Sequence, residues 1–582
     1  MSVETPDHAE GQGPEVDWQP WDRQTFERAA AEHRLILISV QAGWCHWCHV
    51  MNDTTYRTPE VLELLAESFV AVRVDADNRP DLAERYAQWG WPATALLTPD
   101  AQPIVELRGH QPPRRFAELL RGLSNRLRAG ETIGRERPPP VDTRSADLDA
   151  VRRSVTAQLD AMYDDGATGW GRGNQRYPFS APVEHAFFRG EPTWRARAIA
   201  SLDNYAHLID PVWGGMFQYS DDGTWDAPHY EKIVSVQAGA IESFAAAYRI
   251  TGNRVWLNRA LDIERYVLGS LRDPSGAFYT SQDADVGTRS ELPFMTGAAF
   301  YGRSDAERRR VGAPFIDRNI YASTTGMLIA AFVAHYEATL ESDVLTIATT
   351  AADRILSTHW TSRGFAHSAN DTSTIHLSDQ AQMARALLAL YQATGDVRWK
   401  AATDRTVRTM IATLTDTASG GFFAHTADPN AIGSLAERRL PLLDNGVAAR
   451  TLVRLAFLDH DEDLRFAAER ALRGVADPDV IAGQGRIVGE YLLALEELAS
   501  SHVLLSVVGP ADDPRSAALF QAALSVAEPR RLVELGRPGE SRYPYPGEPA
   551  VYLCSESSCS MPVMDPAGLT TATREFLAAE GQ

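Results

Sequence analysis

The stretch Leu35-Ile36-Leu37-Ile38-Ser39-Val40, followed by Ala42-Gly43-Trp44-Cys45-His46-Trp47-Cys48-His49-Val50-Met51, decides the fold of the first part of the chain. Its opening run is apolar at five of six positions and reads as a buried strand. Two cysteines two residues apart follow at the strand end and open a helix. Working outward, Trp18 to His33 carries Phe26, Ala29 and Ala30 at helical spacing and predicts a helix. Pro59 to Ser68 predicts another, with Val61, Leu62, Leu64 and Leu65 on its apolar face. Phe69 to Asp75 reads as a second strand and Leu82 to Trp89 as a short helix. Ala93–Leu97 and Ile104–Leu107 read as a strand pair around Pro99-Asp100, and Phe116 to Arg128 closes the series as a helix. The β-α-β-α-β-β-α order is an α/β layer arrangement.

A strand feeding a C-x-x-C at a helix start is the thioredoxin arrangement. Cys45, as an exposed first sulfur, stands near the positive end of the helix dipole, which favours thiolate. His46 adds positive charge when protonated. Cys48, one turn inside, resolves a mixed disulfide formed at Cys45. Pro92, after Gly90-Trp91, suits the cis-proline that such folds place beside the dithiol. Three other readings compete. Cys45-His46-Trp47-Cys48-His49 spells C-x-x-C-H, the haem-attachment pattern, but no exported chain is indicated. A zinc site on Cys45 and Cys48 with His46 or His49 lacks a second cysteine pair. A redox-inert remnant is the third. The expectation is therefore no metal and no cofactor.

Beyond Arg135 to Asp142, which holds Pro138-Pro139-Pro140, strand signals vanish until about residue 500. Two sequence echoes fill the interval. Tyr248 through Thr251-Gly252-Asn253 to Trp256 is repeated as Tyr391 through Thr394-Gly395-Asp396 to Trp399, with a weaker copy at Tyr336 to Asp343. Gly-aromatic loops recur at Trp213-Gly214-Gly215-Met216-Phe217, Gly276-Ala277-Phe278, Gly364-Phe365 and Gly420-Gly421-Phe422, with Gly169-Trp170 as a further member. Repeated helical hairpins imply a solenoid or a closed ring, and a ring leaves no end repeats exposed. From His502 onward β character returns in Val503–Val508, Arg531–Leu535 and Ala550–Cys554. The predicted fold class is multidomain α/β plus all-α. Residues 1–17 form a disordered acidic tail, 18–134 a thioredoxin-like domain, and 135–145 a Pro-rich linker. Residues 146–500 form an (α/α)6 toroid and 501–582 a small C-terminal α/β segment.

Composition narrows the function. The net charge of −21 repels phosphate backbones, so nucleic acid and membrane are not expected partners. No run of about 18 apolar residues is present, and the first 17 residues hold five acids and no secretory pattern, which points to the cytoplasm. Four cysteines in 582 residues do not make a disulfide framework. Cys554 and Cys559 stand either as a pair, as an exchange partner of the N-terminal dithiol, or as two unconnected thiols. Lysine occurs only at 232 and 400, against 54 arginines, so Lys232 marks a place that requires a compact ammonium. The oligomeric state is not legible.

Trp44-Cys45-His46-Trp47-Cys48-His49-Val50-Met51, Val74-Asp75 with Arg79-Pro80-Asp81, Gly90-Trp91-Pro92 and Leu97-Thr98-Pro99-Asp100 resemble the spermatogenesis-associated (protein 20-like) thioredoxin-domain family. Pro228-His229-Tyr230-Glu231-Lys232 after Trp225, Ser281-Gln282-Asp283-Ala284-Asp285, and Tyr552-Leu553-Cys554 with Cys559 extend the likeness over nearly the whole chain. The resemblance implies a thioredoxin-like domain joined to a six-hairpin, glycosidase-like ring. Ser39 departs from true thioredoxins, which bury a carboxylate at this place, so proton transfer to Cys48 needs another route.

Rings of this type resemble sugar epimerases and glycosidases, with aromatics, histidines and carboxylates at one mouth. The candidates for sugar contact are Trp213, Tyr219, Trp225, Tyr230, Asp379 and Asn445. Those for chemistry are His229, Glu231, Lys232, Asp283 and Asp285, with His367, His376 and His425 competing as a second histidine. Each has a structural alternative. Asp379 and Asp444 suit helix N-caps, Glu231 can complement a helix dipole, and aromatics at turns pack between hairpins. The sequence therefore supports a thiol-disulfide oxidoreductase acting on a protein or small-molecule disulfide, a sugar epimerase or glycosidase, or a non-catalytic redox-sensing binder.

Overall fold

The structure, a computed structural model, describes residues 15–86, 90–131, 133–134, 141–287, 294–429, 431 and 433–580. The expected acidic tail (1–14 of it), the end of the Leu82–Trp89 helix, and residues 135–140 of the Pro-rich linker lie outside the described residues. The chain divides into two compact units.

Unit 1 combines residues 1–140 with two later stretches, Gln282–Asp317 and Ala427–Arg439. Its first part runs β1 (Trp18–Gln19), α1 (Arg23–Ala31), β2 (Leu35–Gln41), α2 (His46–Asp53), α3 (Pro59–Ser68), β3 (Phe69–Asp75), α4 (Pro80–Tyr86), β4 (Ala93–Leu97), β5 (Pro103–Arg108) and α5 (Pro113–Arg128). The five strands form one sheet in the order β1-β3-β2-β4-β5. β2 lies parallel to β3, with Leu37 opposite Ala71, and antiparallel to β4, with Val40 opposite Ala93. Every residue of β2 is buried, as its unbroken apolar run requires for a central strand covered on both faces. Leu35, Leu37, Met51, Val61, Phe69, Leu96, Phe116 and Leu120 form the core against α3 and α5.

One expectation is corrected here. Trp18 does not begin a helix: Trp18 and Gln19 pair with Ala71 and Val72 as an edge strand. The helix starts at Arg23 because Asp22 caps it, its Oδ1 accepting from the Thr25 N–H at 2.8 Å.

Unit 2 comprises Val141–Ser281, Arg318–Thr426 and Leu440–Gln582. Six long helices face inward: α7 (Ser180–Arg189), α9 (Val234–Thr251), α11 (Ala322–Thr339), α13 (Leu377–Thr394), α15 (Leu442–Asp459) and α17 (Gly489–Ala499). Each packs on the next, and α17 returns to α7, so the ring closes. The outer layer is α8 (Pro192–Tyr205), α10 (Arg254–Tyr266), α12 (Ser342–Thr358), α14 (Val397–Leu414) and α16 (Glu462–Gly474), with α6 (Leu148–Ala161) against α17. The Thr-Gly-Asn/Asp echo makes the inner-to-outer turns: Gly252 and Gly395 are left-handed C-caps, and Asn253 and Asp396 cap the returning helices.

The Gly-aromatic echo makes the return from outer to inner helix, and a shared clamp holds it. The fourth residue of an inner helix is Gln237, Gln380 or Asn445. Its side-chain oxygen accepts from the backbone N–H of Met216, Phe365 or Phe422, at 2.7, 2.8 and 2.8 Å respectively. Its amide nitrogen donates back to the carbonyl of the same loop residue. At Gly214 and Gly215 the backbone lies so close to α10 that a Cβ would stand 1.9 Å from the Asp262 carbonyl and 2.5 Å from the Tyr266 ring. Only glycine fits there.

The C-terminal β6 (Val503–Val508), β7 (Arg531–Gly536) and β8 (Ala550–Cys554) form a sheet in the order β7-β6-β8. This segment belongs to unit 2, docked on α13 through the Val533 N–H to Gln392 Oε1 bond of 3.2 Å. The compact units therefore differ from the boundaries read along the sequence. Residues 282–317 and 427–439 leave the expected 146–500 domain for unit 1, and 501–582 packs with the ring.

Candidate functional site

Cys45 is the N-cap of α2, and its Sγ accepts from the Cys48 N–H at 3.0 Å. The sulfurs of Cys45 and Cys48 are bonded to each other. The expected exposure of Cys45 is corrected: it is only 2% exposed, and Cys48 is fully buried. The Gln282–Asp317 stretch of unit 1 reaches the residues flanking the pair. A Cβ on Gly43 would lie 3.6 Å from the Phe315 ring. His46 Nδ1 stands 2.6 Å from Asp285 Oδ2, and His49 Nδ1 stands 3.4 Å from Asp283 Oδ2. Asp283 and Asp285, expected to serve a sugar site with His229, thus join Cys45 and Cys48 in unit 1.

Local backbone fixes these carboxylates. The Asp283 N–H donates to the Phe315 carbonyl at 2.8 Å, and Asp285 Oδ1 accepts from the Gly297 N–H at 2.7 Å. Burial works to raise the Asp285 carboxyl. The His46 hydrogen bond and charge, the Gly297 N–H and His49 outweigh it and hold the carboxyl below its usual range. His49 is pulled below the ordinary histidine range, chiefly by burial, against the attraction of Asp285. One histidine therefore has a charged partner poised on it, while its neighbour one turn along is biased toward the neutral form.

Ser39 is buried behind the dithiol, as the sequence places it, and accepts from Gln41 Nε2 at 2.8 Å. Gln41 and Asn52 exchange amide bonds of 3.0 and 2.9 Å. Burial raises the Tyr56 phenol, with Ser39 and Thr94 as its facing hydroxyls. The place of a buried carboxylate is taken by neutral amides and hydroxyls. The Trp91–Pro92 bond is cis, at the entry to β4 beside the end of β2. Trp91 packs edge-on against Trp44 at 5.5 Å, and Trp44 Nε1 donates to Asp77 at 2.8 Å. Trp47 is 36% exposed and stacks obliquely on His110. The sequence reading did not single out Asp77 or His110.

In unit 2 the candidates divide. Lys232 is wholly buried; its Nζ donates to Asp210 Oδ2 at 2.9 Å and to the Gly214 carbonyl at 2.7 Å, over the Tyr266 ring. It fixes the Gly214-Gly215 loop, so the compact ammonium is needed for structure and a catalytic role is not carried forward. Trp225 is buried between hairpins with its Nε1 on the Ala167 carbonyl at 2.9 Å. Tyr219 stacks between Tyr177 and His229, at 4.6 and 4.1 Å, and His229 Nε2 lies 3.4 Å from Asp221. Tyr230 packs on Phe217 at 4.9 Å, Glu231 is buried, and Trp213 is half-buried. Asn445 is the loop clamp described above rather than a sugar contact.

Asp379 is not an N-cap, since α13 starts two residues earlier and its cap is His376. Its carboxylate accepts from the Ser323 N–H at 2.9 Å and from His367 Nδ1 at 3.0 Å. Tyr321, the residue before α11, stacks on His367 at 4.1 Å. His376 lies 5.5 Å from the His367 ring and His425 lies 6.2 Å from His376. Burial opposes ionisation of Asp379, yet the His367 charge and hydrogen bond, then His376 and the Ser323 N–H, hold its carboxyl below the usual range. His367, His376 and His425 thus form one cluster at the N-terminal end of the inner helices. Tyr321 was missed because it sits outside the Gly-aromatic echo. Among the described residues no group of three or more His, Cys, Asp or Glu is placed to hold a metal ion. No described helix is long and apolar enough to cross a membrane.

Cys554 and Cys559 are bonded to each other across a β-bridge, which answers the open pairing in the sequence.

Comparison with known proteins gives matches to both units. Residues 8–129 match the family model Thioredox_DsbH, described as "Protein of unknown function, DUF255", and residues 298–469 match "Beta-L-arabinofuranosidase, GH127 catalytic domain". Spermatogenesis-associated protein 20 of Homo sapiens is 29% identical over 314 residues, covering 46% of this chain and 39% of the relative. The Mus musculus protein of the same name is 28% identical over 322 residues, covering 49% and 41%. The match thus spans about two fifths of the length of these relatives. Among solved structures, cellobiose 2-epimerase from Bacillus thermoamylovorans is 11% identical with a TM-score of 0.43, covering 56% of this chain and 85% of that one. D-mannose isomerase is 10% identical with a TM-score of 0.45, covering 62% and 99%. The chain is similar to the spermatogenesis-associated protein 20 proteins over about half of its length, and it combines a thioredoxin-like N-terminal domain with a closed ring of helical hairpins.

Proposed function

We propose that the chain is a thiol–disulfide exchange protein whose working pair is Cys45–Cys48. The observation that carries this reading is the bonded pair at the start of α2, with His46–Asp285 and His49–Asp283 beside it. In the reduced protein the Cys45 thiolate attacks one sulfur of a substrate disulfide and releases the first substrate thiolate, which takes up a proton. The Cys48 thiol then loses its proton and attacks the Cys45 sulfur, releasing the second substrate thiolate. Two electrons pass to the substrate, and Cys45–Cys48 becomes a disulfide that a low-molecular-weight thiol or dithiol re-reduces. His46, 2.6 Å from Asp285 Oδ2, favours thiolate at the neighbouring Cys45 when it is protonated. His49, biased toward neutrality, is the group suited to accept the Cys48 proton where Ser39 replaces a carboxylate. Thiol trapping with a Cys48→Ser variant and a disulfide substrate tests this. A mixed disulfide at Cys45 is expected; its absence, with Cys45 titrating as an ordinary thiol, overturns the reading.

A second reading rests on the His367–Asp379 pair with Tyr321, His376 and His425 at one end of the ring, in a segment that matches a glycosidase family model. It assigns the ring proton-transfer chemistry on a sugar, by epimerisation or hydrolysis. NMR of a mono- and disaccharide panel tests it: turnover lost in His367→Ala supports the assignment, and turnover unchanged in that variant removes it.

A further inference from the structure

The chain holds four cysteines, and the exchange assigned to Cys45–Cys48 uses two of them. The other two lie at the edge of the C-terminal sheet of unit 2. Cys554 is the last residue of β8, stands opposite Leu504 of β6, and is 2% exposed. The chain then turns and brings Cys559, which is exposed, back against it. One cysteine of the bonded pair is therefore rooted in the sheet and the other stands at the surface.

The hairpin holds without the cross-link. The Ser555 N–H donates to the Ser558 carbonyl at 2.8 Å, and the Ser560 N–H to the Leu553 carbonyl at 2.7 Å. These two bonds flank the cysteines, which makes them a non-hydrogen-bonded pair, the kind whose side chains lie closer together. The Leu553 N–H donates to Ser560 Oγ at 3.1 Å, and Val551 and Val563 exchange both backbone bonds at 2.8 Å. The turn is tied down as well: Ser558 Oγ donates at 2.6 Å to Oε1 of Glu580, the last residue of the helix Leu569–Glu580. A disulfide stabilises a fold by closing a loop that the unfolded chain would leave open, and the gain grows with the length of that loop. These cysteines are five positions apart, and the backbone ladder already closes the same turn. The bond adds little that the ladder lacks, so the pair is placed for reaction rather than for stapling.

Exchange requires access to one sulfur of the pair, and Cys559 supplies it. Two residues further on, Met561 is 84% exposed, and Met564 is 42% exposed. Flexible thioether side chains in the open beside a reactive sulfur suit contact with a protein surface. We propose that Cys554–Cys559 is a second thiol–disulfide exchange site, with Cys559 as the sulfur attacked and a protein dithiol as the electron donor. One donor thiolate bonds to the Cys559 sulfur and breaks the Cys554–Cys559 bond; the Cys554 sulfur leaves as a thiolate and takes up a proton. The second donor thiol loses its proton and attacks the donor sulfur of this mixed disulfide, and the Cys559 sulfur leaves and is protonated. Two electrons pass to the chain, which then holds two thiols, and the donor becomes a disulfide. The site is separate from Cys45–Cys48 and does not rest on the role given to that pair.

Differential alkylation of the folded full chain tests the proposal, each cysteine pair being read on its own peptides by mass spectrometry. The oxidised chain is treated with a reduced thioredoxin or with glutathione at equal thiol concentration, and both reactions are repeated in denaturing urea. Reduction of Cys554–Cys559 by the thioredoxin in the folded chain is expected, faster than by glutathione, and slowed several-fold by Met561→Ser. Offered oxidised glutathione, folded Cys554→Ser is expected to gain a mixed disulfide at Cys559, and folded Cys559→Ser to gain none at Cys554. The proposal is overturned if the pair is reduced only after unfolding, a result that the natural chain gives whether or not the variants fold. An adduct on Cys554 of the folded chain overturns the assignment of the attacked sulfur. A glutathione rate equal to that of the thioredoxin, or no effect of Met561→Ser, overturns the protein donor.

Discussion

Replacing Asp283 and Asp285 together by asparagine should loosen the Gln282–Asp317 stretch from the dithiol and speed the reaction of Cys45 with small electrophiles. Asparagine keeps an oxygen for the Gly297 N–H and removes the charge that each histidine faces. The His46–Asp285 contact is 2.6 Å, with 20% of the histidine side chain and 3% of the aspartate exposed. A charge-assisted bond in that setting is worth about 1.5 kcal/mol. The 3.4 Å contact of His49 with Asp283 is longer and off hydrogen-bond geometry. It adds about 0.5 kcal/mol. About 2 kcal/mol in the opening equilibrium corresponds to roughly a 30-fold rise in the open population. The assay is iodoacetamide alkylation of Cys45 in a Cys48→Ser background, followed by intact-mass spectrometry. It is run on the high-pH plateau, where thiolate formation is complete and a changed thiol acidity does not contribute. Since Cys45 is only 2% exposed, reaction requires opening. A rate within threefold of the parent would refute the reasoning, because it would mean that the two histidine–aspartate contacts do not govern access to the sulfur.

Burial depresses the His49 imidazole in the folded chain, so the unfolded chain takes up this proton first. The contribution is fully present above the unfolded histidine pKa of about 6.5 and is lost as pH falls below it; His49→Asn should therefore flatten the decline in thermal stability between pH 7 and 5, and an unchanged slope would contradict the shift. Lys232→Met leaves the fully buried Asp210 carboxylate unpaired and should cost about 3–5 kcal/mol by denaturant unfolding. Asp210→Asn in the same chain should restore part of that loss, and an unaltered midpoint in the single variant would contradict the structural role. Gln380→Leu removes both clamp bonds to Phe365 and strands its buried N–H and carbonyl, for a loss of about 2–4 kcal/mol, with Asn445→Leu expected to behave alike at Phe422.

The first unit was legible because its signals are local. A continuous apolar run fixes β2 as a central strand, and the cysteine pair that follows caps α2. Trp18 was misread because a two-residue edge strand has no periodicity, and only the Asp22 cap marks where the helix begins. The ring was legible from turns: glycine, asparagine and aspartate punctuate hairpins whatever the helices between them contain. Asp283 and Asp285 show where sequence reasoning stops. Their partners His46 and His49 are more than 230 residues away, and no spacing rule encodes that meeting. The lysine count correctly marked position 232 as special, but scarcity does not distinguish a buried structural cation from a catalytic one. Asp379 looked like a cap because aspartates often are; three residues past the His376 cap its carboxylate meets Ser323 and His367 instead. The Gln237, Gln380 and Asn445 clamp had a usable signal, an amide at the fourth position of three of the inner helices, which the aromatic half of the same echo obscured.

The central claim is that Cys45–Cys48 exchanges electrons with thiols. The direct measurement is a redox titration of the intact chain in dithiothreitol or glutathione buffers at pH 7, with the oxidised fraction of this pair read by alkylation and peptide mass spectrometry. A reversible two-electron transition with a midpoint between about −120 and −270 mV, the span of exchange-active pairs, is the predicted result. A pair that remains oxidised to below about −300 mV, as structural disulfides do, would contradict the account.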